Sequence, residues 1–255
     1  SGIKYMVLNG STASSKGDRD PVRMVRIVVK KSRNSFFGKI SEMSSSKILV
    51  YVQRIPSSND YFVIALSSKP DVVKFVKNLV ARDYYLRRVK IKKIKYQRIS
   101  KYSVIYAVKS KCEFYRLAEE NRISILSPYI FVRGMREYIV LGAYGDIEEY
   151  LENLSNYYGE ENVSWWNVSF DDLIPNILGV SILNLIADRL TPAEKKILAI
   201  AYRRWYFSYP KSVKQEDLGY LFNLSKVTIS IHLRKALKKV VEDFVRTIEN
   251  EGSVL

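Results

Sequence analysis

The spacing of apolar positions changes several times along this chain, and each change marks an element. Val25–Val29 is a mostly β-branched run, Lys47–Ile55 partly alternates, and Tyr61–Leu66 follows across the turn Ser57-Ser58-Asn59-Asp60, which predicts a hairpin. Pro70-Asp71 then opens a helical period through Val72, Val73, Phe75, Val76, Leu79 and Val80. A short helix over Ser35–Met43 and a strand over Val89–Ile99 complete a β-α-β-β-α-β order. The order then recurs as strand Tyr102–Val108, helix Glu113–Asn121, strands Ile123–Val132 and Tyr138–Ala143 about a turn with Gly134, helix Ile147–Tyr157 and strand Val163–Phe170.

This pattern predicts an α+β fold, with tandem ferredoxin-like (βαββαβ) repeats followed by an all-α helix-turn-helix domain. The units are expected at 23–100 and 101–172, each a four-stranded antiparallel sheet under two helices. A flexible Ser- and Gly-rich leader is expected over 1–22, and a linker over 173–189 containing one apolar helix, Asn176–Arg189. Trp165-Trp166 is expected in the core. The stretch Leu173–Ala187 is uncharged but too short to span a bilayer, so no membrane partner is expected.

Residues 190–255 carry the sharpest local signals. Thr191 is placed to cap a helix that has Pro192 at its first position and Glu194 closing a capping box, with Ile197, Leu198, Ala201 and Tyr202 facing inward. After the aromatic connector Trp205-Tyr206-Phe207, Ser212 or Lys214 leads into a second helix. Gly219 is small enough for two helices to cross closely, and Asn223 tolerates the positive φ that the turn needs. Leu218, Phe222, Leu224, Ile229 and Leu233 supply the inward face, and Ser225 caps the third helix. A helix built this way is suited to a DNA groove.

Charge points the same way. The 42 Lys and Arg outweigh the 26 Asp and Glu for a formal net charge of +16, which favours a polyanionic partner. A single cysteine, Cys112, and a single histidine, His232, argue against disulfides, zinc fingers and most histidine-based catalysis. Phosphate-loop and nucleophile-elbow motifs are lacking, so no enzyme, metal or cofactor is expected. His232 falls near the inward face and reads as structural. Arg82–Lys111 holds eleven basic residues and one acid, Asp83. It reads equally as a second nucleic-acid surface or as a solvated strand whose lysines discourage edge pairing.

The motifs Leu190-Thr191-Pro192, Trp205-Tyr206-Phe207 with Pro210-Lys211, and Ser225-Lys226-x-Thr228-x-Ser230-x-His232-Leu233-Arg234 resemble the helix-turn-helix domain of bacterio-opsin-activator-type archaeal regulators. Gly219 and Asn223 stand where that family more usually has Ala and Gly, and Ile231 replaces a common acidic residue. The resemblance implies a sequence-specific, double-stranded DNA-binding transcription regulator that is cytoplasmic and nucleoid-associated. Groove chemistry assigns Lys226, Ser230 and Arg234 to base edges and Val227 and Ile231 to thymine methyls. Lys211, Lys214, Lys235 and Lys238 are assigned to phosphates, and Ser225 and Thr228 complete the expected DNA-binding set. Leu233, Leu237, Val240, Val241, Phe244, Val245 and Ile248 form a stripe that predicts a homodimer seam, the alternative being a fold back on Ile177–Leu185. The sheet region is expected to serve regulation or dimerisation, with a small-molecule effector as a further candidate partner. The alternative function is RNA binding by the basic ferredoxin-like sheet, although the aromatic pattern of an RNA-recognition sheet is absent.

Overall fold

The computed structural model describes residues 22–32, 35–99, 101–169, 171–179 and 181–252, so the expected leader, apart from Val22, lies outside the described residues. The first half contains β1 (Arg23–Val29), α1 (Phe36–Ser44), β2 (Lys47–Arg54), β3 (Asp60–Ser67), α2 (Val72–Val80), α3 (Asp83–Arg88) and β4 (Ile91–Ile99). The second contains β5 (Tyr102–Ser110), α4 (Glu113–Glu120), β6 (Ser124–Ile125), β7 (Tyr129–Val132), β8 (Met135–Gly142), α5 (Tyr144–Tyr158) and β9 (Val163–Asn167).

These strands make one antiparallel sheet, not two. Its order is β4-β5-β3-β2-β7-β8-β1-β9, with β6 also beside β8. β5 lies between β4 and β3, the place a self-contained first unit would give to β1. β1 lies between β8 and β9, the place such a second unit would give to β5. The expected boundary near residue 100 therefore falls inside a hairpin, β4–β5. At the centre β2 pairs with β7, Leu49 opposite Ile130, which joins the two halves and removes two free edges.

Alternation decides what each face buries. On β3, Tyr61, Val63 and Ala65 point into the main core, where α1, α2, α4 and α5 cover the sheet. Phe62 and Ile64 point to the other face and are partly exposed. The centre of that second face, Leu49, Ile130 and Ile139, is sealed by Leu185. Each such fully buried side chain contributes about 1.5–3 kcal/mol.

Several elements differ from expectation. The strand expected over Ile123–Val132 is broken into β6 and β7 at Ser127-Pro128. The single helix expected over Asn176–Arg189 is two, α6 (Leu173–Gly179) and α7 (Ile182–Asp188), because the Ser181 side chain accepts from the Leu183 N–H and starts a new helix. Trp165 and Trp166 are 43% and 41% exposed rather than core. They lie on the edge strand β9, each under an arginine, Arg23 and Arg26, at 5.3 Å. Arg26 also donates to Asn176 at 2.8 Å and pairs with Glu137, which pins α6 to the sheet.

Candidate nucleic-acid interface

The C-terminal helices are α8 (Pro192–Arg203), α9 (Gln215–Phe222) and α10 (Lys226–Gly252). α8 starts where the sequence says it should. Thr191 Oγ1 accepts from the Glu194 N–H at 3.2 Å, and the Glu194 carboxylate accepts from the Thr191 N–H at 2.8 Å. Glu194 is buried and takes a further contact, Lys239 Nζ at 2.6 Å. Burial would raise its pKa, but Lys239 and the Thr191 N–H outweigh burial and hold the carboxyl below its ordinary value. The first helix is thereby tied to the last by a charge-assisted bond.

Between α9 and α10 the chain turns on Asn223, at φ 52° and ψ 46°, while the Leu224 N–H donates to the Gly219 carbonyl at 3.0 Å. A Cβ on Gly219 would lie 2.6 Å from the Leu224 carbonyl oxygen, so the crossing tolerates no side chain without a backbone shift. Gly219→Ala should therefore destabilise this domain by about 1–3 kcal/mol, overriding the ~1 kcal/mol that alanine otherwise gains over glycine within a helix. Thermal denaturation checks this, and an unchanged or raised Tm would contradict the close crossing.

Ile197, Ala201, Leu218, Ile229 and Leu233 form the core, with Phe222 packed against it. Tyr202 and Leu224, expected inside, are 75% and 38% exposed, and Ala236 is buried one turn beyond Leu233. His232 is half-buried beside this core, and its Nδ1 has no hydrogen-bond partner among the described residues.

The outward face of α10 carries most of the residues expected on it. Ser225 caps the helix through the Thr228 N–H at 3.1 Å, and its hydroxyl meets the Thr228 hydroxyl at 2.9 Å. Thr228 and Ser230 are half-buried, and Lys226 is drawn to Glu216 on α9 at 2.5 Å. Val227, Ile231, Arg234, Lys235 and Lys238 form an exposed stripe, with Lys226 exposed beside it. Lys211 and Lys214 are exposed on the connector side; Lys211 lies 4.9 Å from the Tyr206 ring, and the Lys214 N–H donates to Asp217 at 2.7 Å. A cationic stripe with apolar positions at one end can meet phosphates and base edges together.

Residues 190–242 match a family described as HTH DNA binding domain, the bacterio-opsin-activator-type helix-turn-helix. This region is a helix-turn-helix DNA-binding domain. No curated protein and no solved structure matches the chain. Among the described residues no helix is long and apolar enough to cross a membrane.

Sequence reasoning did not find the junction that fixes this helix-turn-helix domain to the sheet. Arg189, just before α8, pairs with Asp243 and, at 3.2 Å, with Glu242 on α10. Lys101 and Tyr102, at the start of β5, reach Glu242 and Asp243 respectively. Part of the basic stretch Arg82–Lys111 is engaged elsewhere: Lys92 pairs with Asp60, Lys111 with Glu119, and Lys109 is buried. Lys93 and Lys95 remain exposed on the edge strand β4.

Proposed function

We propose that the protein is a sequence-specific, double-stranded DNA-binding transcription regulator, acting in the cytoplasm at the nucleoid. The observation that carries this reading is the exposed stripe on α10, Val227, Ile231, Arg234, Lys235 and Lys238, on a domain of DNA-binding type. Arg234 reads guanine, Val227 and Ile231 meet thymine methyls, and Lys235 and Lys238 hold phosphates along with Lys211 and Lys214. Lys226, Ser230, Ser225 and Thr228 order the start of the helix and reach DNA only at its rim.

The sheet is read as two ferredoxin-like repeats with their first strands exchanged, a rigid platform for regulation by a partner or small effector. The protein is read as a homodimer. Leu237, Val240, Val241, Phe244 and Val245 on α10 are 36–64% exposed, a stripe we read as the seam for a second copy. Dimerisation would set two reading helices for a palindromic site.

Footprinting and mobility shift across salt concentrations test the reading. Arg234→Ala should weaken the preferred site by about 1–3 kcal/mol while sparing non-specific binding, whereas Lys238→Ala should weaken all sequences and reduce the salt slope by about 1. A footprint of paired half-sites is expected. Unchanged site preference in the Arg234 variant would remove α10 as the reader. Tighter binding to single-stranded RNA than to duplex DNA would favour the RNA alternative, for which the exposed Phe62–Tyr106 pair beside Lys93 and Lys95 offers a stacking face.

A further inference from the structure

Arg136 on β8 is 4% exposed and has no carboxylate ion-pair partner among the described residues. Its guanidinium lies 3.8 Å from the Phe114 ring centroid and 5.1 Å from that of Phe131. Its Nη1 donates to the Tyr158 hydroxyl at 3.4 Å, and its Nε has no partner. Lys109 on β5 is buried as well, with its ammonium 5.6 Å from the Tyr115 ring and donating to Cys112 Sγ at 3.4 Å. Cation–π contacts return less than removing an ion from water costs. A cluster with two such cations calls for an anion within it.

The candidates can be enumerated from the elements packed there. Tyr61 on β3, Tyr115 on α4, Tyr129 on β7 and Tyr138 on β8 are phenols whose burial pushes their pKa values up, which keeps them neutral. Of the carboxylates on α4, Glu119 is engaged by Lys111 and by the Tyr61 hydroxyl, and Glu113 by Arg116. Tyr158 on α5 already accepts from Arg136. Cys112 remains, the residue preceding α4, partly exposed and the single cysteine of the chain.

We propose that Cys112 is a thiolate, the counter-ion of Lys109 and Arg136, and a modification site for hydroperoxides. Burial alone would push this thiol up, but the charges of Lys109 and Arg136 outweigh it and hold the group below its ordinary value. The sulfur attacks one peroxide oxygen, an S–O bond forms and the O–O bond breaks. Hydroxide or alkoxide leaves and takes a proton from water. Sulfur loses two electrons to become a sulfenic acid, and the peroxide is reduced to water or an alcohol. With no second cysteine in the chain, repair falls to an external thiol, which displaces water to form a mixed disulfide. Oxidation removes the negative charge and leaves both cations uncompensated where α4 lies on the sheet, so the modified protein is looser there.

The test is the pH dependence of iodoacetamide alkylation of the full, native chain, followed by intact mass. The rate should reach half its plateau below the ordinary thiol value of about 8.5. Peroxide treatment followed by dimedone should add one adduct, which Cys112→Ser abolishes. Arg136→Met and Lys109→Met should each raise the alkylation midpoint, with circular dichroism reporting whether they fold; if they do not, the wild-type profile decides alone. A midpoint at or above about 8.5, or reaction only after unfolding, overturns the thiolate. Absence of the dimedone adduct overturns the modification.

Discussion

Arg189→Ala is expected to cost about 3–5 kcal/mol of stability and to release α10 from the sheet. The Arg189 side chain is 7% exposed and that of Asp243 10%. Besides Asp243 and Glu242, Arg189 donates to the Lys239 carbonyl at 3.3 Å, which ends its forked contact with one turn of α10. Burial would weaken the arginine's charge, but the hydrogen bond and charge of Asp243 outweigh it and raise its pKa. Without the guanidinium, Asp243 keeps the Tyr102 hydroxyl at 2.8 Å but loses a close ion-pair partner in a site that water barely reaches. The penalty is that of breaking a buried ion pair, not of a surface ion pair, which would be worth about 0–1 kcal/mol. Urea denaturation of Arg189→Ala, Asp243→Ala and the double variant separates these. The double variant should cost clearly less than the sum of the singles, because the two side chains share one contact. Additive effects, or single losses under about 1 kcal/mol, would mean the junction is a solvated contact.

What could be read from the sequence here is what a few neighbouring residues decide among themselves. Thr191 with Glu194, Ser225 with Thr228, Asn223 in its left-handed conformation and Gly219 at the crossing are local matters of cap geometry and steric room, and each is found as expected. The phase of α10 was legible as well: Ile229 and Leu233, expected inward, are buried, and Val227 and Ile231, expected outward, are exposed. Ser230 and Thr228, also expected outward, are half-buried, and Ala236, buried one turn beyond Leu233, gives little apolar signal of this. Adjacent tryptophans on one strand point to opposite faces, so Trp165 and Trp166 could not both have entered one core. The Arg189 junction joins residues 54 apart, and no spacing rule connects them. The setting of Cys112 is legible only in part: Lys109, which donates to it, is three residues away, whereas Arg136 is supplied by another strand. Strand alternation reveals which face a residue serves but not which strand it pairs with, and so the exchange of β1 and β5 was illegible.

That exchange predicts what happens when the chain is cut at residue 100, the boundary that the repeated order suggests. A piece covering 22–99 retains β1 to β4, yet both ladders of β1 run to β8 and β9, and β4 pairs only with β5. β3 loses β5 as well, so the β2–β3 hairpin is all that remains of its sheet. The complementary piece, 101–252, keeps β7, β8 and β6 together but leaves β5 without β3 or β4 and β9 without β1. A two-stranded hairpin is marginal in water, and here it would also expose core positions Val63, Ala65, Ile105 and Val25 that the missing strands cover. Neither piece should show the cooperative melting of the sheet alone, the 101–252 piece keeping at most that of its helix-turn-helix domain, and both should aggregate through their unpaired edges. Mixed in equal amounts they should recover a single cooperative transition and a 1:1 complex, because every lost ladder is restored between pieces rather than within them. A sharp independent transition from 22–99 would mean that β1 can take the place of β5 beside its own β3. The exchange would then be a choice of the intact chain rather than a requirement of its strands.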